Sequence, residues 1–248
     1  MVVGGRARSF GRAAMSAIVR PQAVPAETEM PPGSTRRLLD VVVSAAALVL
    51  SSPLLLVVWI AIRLTSRGPA VFRQDRVGQG GRLFTLLKFR TMQMQPGGPA
   101  VTVPGDARIT KVGRFLRKTS LDELPQFVNV LRGDMTLVGA RPETPLLAAQ
   151  YPGESGRVFT FRPGITGPGQ LEFRDDDVIP PDVQDLETFY VQEVVPRRTE
   201  ADLRYLDDPS LAQTVRLIAR TCSAMVKPLR SSPASSPRAA DGDARRSS

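Results

Sequence analysis

The chain has 248 residues, 42% of them hydrophobic, which suits one medium domain or two small ones with cores of their own. Its 33 lysines and arginines outnumber its 24 aspartates and glutamates, and the net charge of +9 favours anionic partners such as nucleic acid, anionic lipid or a phosphorylated metabolite. With no histidine and a single cysteine, Cys222, the chain can form no internal disulfide, no cysteine-rich or histidine-ligated metal site and no histidine-based catalytic triad.

The two ends of the chain have the composition of disordered segments. Residues 1–35 are rich in glycine, alanine, proline and arginine without sustained periodicity, so we expect a disordered basic arm. A secretory signal peptide is a poor fit, because the apolar block comes too late and no small-residue cleavage site follows it. Residues 231–248 are a Ser/Pro/Arg/Ala tail, which we also expect to be disordered.

An uncharged block runs from Val41 to Ile62. As an α-helix it would be about 33 Å long, which is enough to span the hydrocarbon core of a membrane. Ser52 and Pro53 lie at its centre. Because proline has no N–H and its ring clashes with the carbonyl four residues earlier, we expect the helix to kink or break there, with a serine hydroxyl bonding a freed carbonyl.

Basic residues flank this block on both sides: Arg36, Arg37, Arg63 and Arg67. If the helix were a full span, the positive-inside rule would give it no preferred orientation. A re-entrant helix that enters and leaves through one leaflet satisfies the rule at both ends, and a kinked span is the alternative. A buried helix of a soluble protein fits poorly at this length without charge.

Arg37 and Asp40 begin the apolar block and are three residues apart, so on a helix they share a face and can pair. An acidic residue is costly at the edge of an apolar zone. The pair is therefore either an interfacial anchor or a part of a catalytic site, and the sequence leaves both open.

Two short strands are predicted after the block, at Ala70–Phe72 and Leu83–Phe89, with a glycine-rich turn between them. A plain hairpin is the simpler interpretation of the turn, and a phosphate held by its backbone amides is the alternative. Lys88 and Arg90 alternate with a phenylalanine, so we expect both on one face of the sheet, which is either solvated or phosphate-binding.

The stretch from Leu116 to Glu143 brings acids and bases close together: Arg117, Asp122, Glu123 and Arg141. One interpretation is structural, because Ser120 and Glu123 match a helix capping box, in which the acids only start an amphipathic helix. The other is a site for a phosphorylated substrate and a metal ion, in which the nearby cations keep both acids ionised. Since only oxygen ligands are present, the metal would be magnesium or manganese.

The last third of the chain adds a loop and two predicted helices. The run FRPGITGPGQL has three glycines and two prolines between Arg162 and Gln170, so we expect a loop that presents Arg162 to a ligand. A helix is predicted over Val183–Val194 and is expected to end at Pro196. A basic amphipathic helix follows from Leu211, suited either to an anionic membrane surface or to packing on the core.

Together these runs resemble the bacterial sugar transferases, the monotopic phosphoglycosyl transferases that start polysaccharide and glycan assembly. The resemblance covers about three quarters of the chain, and its most specific run is DARITKVGRFLRKTSLDELPQFVNVLRGDMTLVGARPE. It implies an α+β, mainly helical monotopic membrane protein. A re-entrant helix over residues 36–67, broken at Ser52-Pro53, would precede a small cytoplasmic catalytic domain over residues 68–230 with amphipathic interfacial helices.

The resemblance also implies an activity at the cytoplasmic face of the bacterial inner membrane. Asp122 would attack a nucleoside diphosphate sugar, probably a UDP-sugar, with Glu123 as its partner in catalysis. UMP would leave, and polyprenyl phosphate would then take the phospho-sugar from the aspartate, as the first membrane step of exopolysaccharide, capsule or glycoconjugate synthesis. Both carboxylates would hold Mg²⁺, and Arg117 and Arg141 would bind phosphate or substrate, as would Lys88, Arg90 and Arg162 among the remaining cations.

Two departures from the family pattern lie near the site. Ala140 stands where proline is usual and Gly169 where tryptophan is common, and we expect both to loosen the loop around the site. A membrane-anchored basic regulatory or nucleic-acid-binding protein is the rival interpretation, but no aromatic stacking run or recognition motif supports nucleic-acid binding. An inactive scaffold and a direct transfer without an aspartyl intermediate are further alternatives.

Overall fold

The computed structural model describes residues 34–93, 106–173 and 185–226. The predicted basic arm up to residue 33 and the predicted tail lie outside these residues. The helices, in chain order, are α1 Ser34–Thr65, α2 Lys111–Lys118, α3 Gln126–Arg132, α4 Pro145–Ala148, α5 Pro168–Glu172, α6 Leu186–Phe189, α7 Val195–Leu206 and α8 Leu211–Val226. The strands are β1 Val71–Val77, β2 Leu83–Phe89, β3 Thr136–Val138 and β4 Gly164–Thr166. The predicted α+β, mainly helical class is confirmed.

Strands β1 and β2 form the predicted hairpin. They pair antiparallel from Val71 opposite Phe89 to Val77 opposite Leu83, so β1 continues past its predicted end. The turn between them is a short 3-10 helix in which Gly80 has φ of 65°, a left-handed conformation that glycine adopts without strain. The predicted hairpin at this glycine-rich run is therefore confirmed.

Strands β3 and β4 pair in parallel, in a second two-stranded sheet. The connection between them carries α4 and a 3-10 segment, Gly153–Thr160. Behind this sheet, α7 and α8 supply much of the main core, in which Val138, Phe159, Leu206 and Leu217 are buried together. This core supports the chain between β3 and α4, where Arg141 lies.

Helix α1 continues through Pro53, so the predicted interruption of the helix is wrong, and the kink stays a prediction. The reason lies in the two serines before the proline. Ser52 Oγ donates to the Val49 carbonyl oxygen at 2.8 Å, which is the acceptor that Pro53 cannot bond, and Ser51 Oγ donates to Ala47 O at 2.6 Å. Within the described residues, α1 is the one helix long and apolar enough to cross a membrane.

The first turns of α1 are bound to the domain by Arg37 and Asp40. The guanidinium of Arg37 donates to the carbonyls of Val130 and Leu131 at 2.7 and 2.8 Å, which caps the C-terminal end of α3. Asp40 is buried, and its carboxylate accepts from Leu137 N at 3.0 Å and Thr136 Oγ1 at 2.8 Å. The hydrogen bonds described for the two residues run to the domain and not to each other, so the predicted Arg37–Asp40 pair is wrong.

The last turns of α1 pack on the same domain through apolar side chains. Val58 and Ile62 are buried in a cluster with Phe89 and Leu116, against which Leu121 also packs. Between the two contacts the helix is far more exposed, with Leu50 at 81%. Both ends of α1 are therefore attached to one domain.

The C-terminal helices differ from the prediction at Pro196. The helical path continues from α6 through a π-turn, Tyr190–Val194, into α7. Pro196 lies in the first turn of α7, where the N–H group that proline lacks is not required for an intrahelical hydrogen bond. In α8, Thr214 and Leu217 face the core while Leu211 and Val215 are exposed. Packing on the core therefore accounts for one side of α8 and leaves an apolar side uncovered.

Replacing Asp40 with alanine leaves the buried Leu137 amide without its acceptor. We expect the variant to lose about 1–3 kcal/mol of folding free energy, measured as a lower Tm in detergent or nanodiscs. Asp40→Asn is the matched control, because its amide oxygen still accepts from Leu137 N, and it should lose clearly less. Equal losses in both variants would contradict a role based on this hydrogen bond.

Candidate active site

Asp122 lies in a 3-10 turn, Leu121–Glu123, between α2 and α3. Ser120, just before the turn, has φ of 55° and makes no capping hydrogen bond, while α3 starts only after Pro125. The capping-box interpretation is therefore wrong. Ser120 is the one non-glycine residue with positive φ in the described part of the chain, and such strained positions are concentrated at functional sites.

The Asp122 side chain is buried, with 6% of the residue exposed. Burial raises the pKa of Asp122 to about 6, and the negative charge of Glu123 contributes in the same direction. Three cations, Lys88, Arg117 and Arg141, lower it. With a pKa of about 6, Asp122 is mostly ionised at neutral pH, and the structure brings together the carboxylate pair and three of the five predicted phosphate-binding cations.

Lys88 is half-buried, on strand β2 opposite Phe72 of β1. Burial lowers the pKa of Lys88 to about 8, and the positive charge of Arg141 lowers it further, while Asp122 opposes both. Its Nζ lies 5.7 Å from the centroid of the Phe72 ring, a cation–π distance. The Lys88 ammonium and the Asp122 carboxylate therefore lie close enough to act on each other's charge.

The two arginines are held from opposite sides of the site. Arg117 Nε donates to Thr91 Oγ1 at 3.0 Å, which anchors the guanidinium against the end of the hairpin. Arg141 Nη1 lies 3.5 Å from Glu123 Oε1, and its side chain is 43% exposed. Arg141 is thus loosely paired and open to an anionic ligand.

Glu143, which the sequence analysis did not single out, fixes the segment that carries Arg141. It is buried and accepts from Arg76 Nη1 at 3.0 Å and from Tyr190 Oη at 3.1 Å. Arg76 also donates to the Pro142 carbonyl at 3.1 Å. The sequence signal for Glu143 is its place in the run GARPE, two residues after Arg141.

Two predicted phosphate-binding residues stand outside this cluster. Arg90 is buried and donates from Nη2 to the carbonyl and the hydroxyl of Ser66, so it contacts α1 and not the groups around Asp122. Arg162 is not among the main charges that act on Asp122.

Gly169 does not loosen the site, contrary to the sequence expectation. Its N–H donates to Asp202 Oδ1 at 2.9 Å, and a Cβ at this position would lie 2.5 Å from the Arg198 carbonyl oxygen. The absence of a side chain lets α5 pack closely on α7. Burial raises the pKa of Asp202 to about 7 at this contact, although the Gly169 amide and Arg198 oppose it. Ala140 is buried in the core and does not loosen the loop either.

The adjacent carboxylates can hold a magnesium ion together with a phosphorylated ligand. Within the described residues no group of three or more acidic, cysteine or histidine side chains converges on one point. Mg²⁺ is commonly bound by one or two carboxylates plus substrate phosphates. Asp122 and Glu123, the one buried and the other partly exposed beside Arg141, fit this requirement.

Residues 32–228 match the family described as bacterial sugar transferase. The chain belongs to the bacterial sugar transferase family. It is 41% identical over 197 residues to the UDP-glucose:undecaprenyl-phosphate glucose-1-phosphate transferase of Caulobacter vibrioides, a match that covers 77% of this chain and 69% of that protein.

Two further relatives of this sugar transferase are longer. The Escherichia coli K12 protein with the same name as the Caulobacter enzyme is 37% identical over 194 residues, which are 75% of this chain and 39% of that protein. The UDP-N-acetylgalactosamine-undecaprenyl-phosphate N-acetylgalactosaminephosphotransferase of Aeromonas hydrophila is 42% identical over 141 residues, 55% of this chain and 33% of that protein. The names of these relatives support an enzyme of the phosphoglycosyl transferase class.

The pKa of Asp122 in this sugar transferase should be about 6 and should rise when a neighbouring cation is removed. Lys88→Gln removes a charge that favours the carboxylate, so we expect a higher pKa. Carbon-13 NMR of aspartate-labelled protein in nanodiscs measures this, with the resonance assigned by its loss in Asp122→Asn. Arg157→Gln, which removes an exposed cation paired with Asp207, is the control and should leave the value unchanged. A native pKa near that of free aspartate would contradict the burial account.

Proposed function

We propose that this sugar transferase moves a phospho-sugar from a UDP-sugar to a polyprenyl phosphate through a covalent aspartyl-phosphosugar on Asp122, and releases UMP. The observation that carries the proposal is the buried Asp122 carboxylate beside three cations, in a turn whose Leu121 packs against the apolar cluster that contains Val58 and Ile62 of α1. The relatives' names, with UDP-sugars and undecaprenyl phosphate, support the two substrates. The reaction would be the first membrane step of exopolysaccharide, capsule or glycoconjugate synthesis.

The first step forms a bond between an Asp122 oxygen and the sugar-bearing phosphorus and breaks the bond from that phosphorus to the bridging oxygen. UMP leaves with that oxygen and its electron pair. In the second step an oxygen of polyprenyl phosphate attacks the same phosphorus, the bond to Asp122 breaks, and the carboxylate is restored. The product is a polyprenyl diphosphate sugar.

A carboxylate is a weak nucleophile, so stabilisation of phosphoryl charge must supply most of the rate enhancement. Lys88, Arg117 and Arg141 are placed for this, since all three already act on the charge of Asp122. Asp122 and Glu123 would hold Mg²⁺, which when bound neutralises charge on the diphosphate. Arg141, paired to Glu123 at 3.5 Å and partly exposed, can exchange that contact for a donor phosphate.

We infer a re-entrant topology with the domain on the cytoplasmic face. A full span would carry one end of α1 about 30 Å away through the hydrocarbon. Asp40 near one end and Ile62 near the other both contact the domain, so a full span would draw this domain with its charged residues into the hydrocarbon. The basic residues flanking both ends agree with a cytoplasmic location for both. The exposed Leu211 and Val215 of α8 suit an interfacial helix on that side.

Incubation with donor alone tests the covalent step. The enzyme in nanodiscs, mixed with a panel of UDP-sugars and no polyprenyl phosphate, should release about one UMP per active site with the correct sugar and gain the mass of a sugar phosphate on the Asp122 peptide. Asp122→Asn should do neither. Asp207→Asn, which alters an exposed carboxylate, is the control and should behave as the native enzyme. UMP release that requires the acceptor would contradict the intermediate and favour direct transfer.

The pH dependence of kcat/KM for the donor should be bell-shaped. The nucleophile is lost by protonation of Asp122 below about pH 6, and the Lys88 cation is lost by deprotonation above about pH 8. Lys88→Arg keeps a positive charge at every pH of the assay, so we expect the basic limb to disappear and the acid limb to remain. A basic limb that survives in Lys88→Arg would contradict its assignment to Lys88.

A further inference from the structure

Arg90 is a buried cation for which the described residues provide no matching anion. It is 4% exposed, and Nη2 supplies its side-chain hydrogen bonds, to the carbonyl and hydroxyl of Ser66 at 2.9 and 2.8 Å. Its Nε and Nη1 are buried and have no partner in the described part of the chain. Buried guanidinium donors that stay unpaired are costly, so this position is suited to an acceptor supplied by a ligand.

The charge around Arg90 also favours an anion. Burial lowers the pKa of Arg90, and the one other charge found to act on it among the described residues is a second cation, Arg63. Arg63 lies one helical turn before Ser66, so it is on the same side of α1. It is exposed and is held by a hydrogen bond to the Gly68 carbonyl at 3.0 Å and by the Trp59 ring at 5.9 Å. Such weak contacts let Arg63 move aside and admit a ligand.

The position of the two arginines identifies a lipid as the source of the anion. They stand at the last turn of α1, the helix apolar enough to enter the membrane. Leu56 and Trp59, both exposed, precede Arg63 on the same side of this helix and offer an apolar surface for a hydrocarbon chain. A water-soluble donor has no hydrocarbon chain that could pack on such a surface.

We propose that Arg90 and Arg63 bind the phosphate of the polyprenyl phosphate acceptor, with its isoprenoid chain along the Leu56–Trp59 side of α1. The proposal rests on the proposed function for the identity of the acceptor. Two cations match a phosphate monoester, which carries nearly two negative charges at neutral pH, better than the single charge of a phospholipid diester.

This acceptor site adjoins the reaction centre. Arg90 is followed by Thr91, whose hydroxyl accepts from Arg117, and Arg117 acts on Asp122. Ile62, which precedes Arg63, is buried in the cluster that Leu121 joins. The acceptor site and the Asp122 turn therefore rest on the same apolar cluster.

Arg63→Gln is the main test, since the side chain is exposed and its loss leaves the core intact. In phosphatidylcholine nanodiscs we expect the KM for polyprenyl phosphate to rise about tenfold, the loss of one charge-assisted contact. UMP released from donor alone should stay at the native amplitude, because that step does not use the site. Arg67→Gln removes an exposed charge from the same end of the helix and is the matched control, with a native KM expected.

An unchanged acceptor KM in Arg63→Gln, or an equal rise in Arg67→Gln, would overturn the proposal. Arg90→Gln should raise the KM further, whereas a role limited to holding Ser66 would lower Tm and leave the KM unchanged. Replacing part of the phosphatidylcholine with phosphatidylglycerol should leave the native KM unchanged, and strong competition would show that the site takes any lipid phosphate. If the native enzyme releases no UMP without acceptor, the covalent intermediate fails, while the KM comparison still decides this site.

Discussion

The attachment of both ends of α1 to a single domain is the constraint on which the rest of the structure depends. At one end a buried carboxylate, Asp40, accepts from the backbone of β3, and at the other Ile62 packs into an apolar cluster. That cluster includes Leu121, the residue before Asp122. The helix that is apolar enough to enter a membrane therefore shares an apolar cluster with the turn that carries Asp122, the proposed nucleophile.

The electrostatics of the site follow from this burial. A carboxylate taken out of water beside a second carboxylate favours its protonated form, and three cations restore most of its ionisation. The same cations are what a phosphoryl transfer needs, so in the proposed function the groups that keep Asp122 charged would also stabilise the charge of the donor. Glu143 contributes indirectly, because it fixes Arg76 and the segment that carries Arg141.

The sequence predicted the hairpin and the clustering of charges around Asp122 because short-range chemistry determines both. Asp122 stands close to Arg117 along the chain, and glycines mark the hairpin turn. The buried side of α3 could not be predicted this way: Asn129 is fully buried, bonding Leu87 N and Thr85 O of β2, while the apolar Val128 beside it is partly exposed. Such burial depends on long-range backbone partners, which no local pattern of apolar residues reveals.

The location of both ends of α1 on one side of the membrane is the central claim, and cysteine labelling tests it most directly. Single cysteines at Thr35 and Arg67, both exposed, can be introduced after Cys222, also exposed, is changed to serine. In spheroplasts treated with a membrane-impermeant maleimide, the account predicts no labelling of either position, and labelling of both once the membrane is broken. Labelling of one position but not the other in intact spheroplasts would show that α1 crosses the bilayer and would contradict the account.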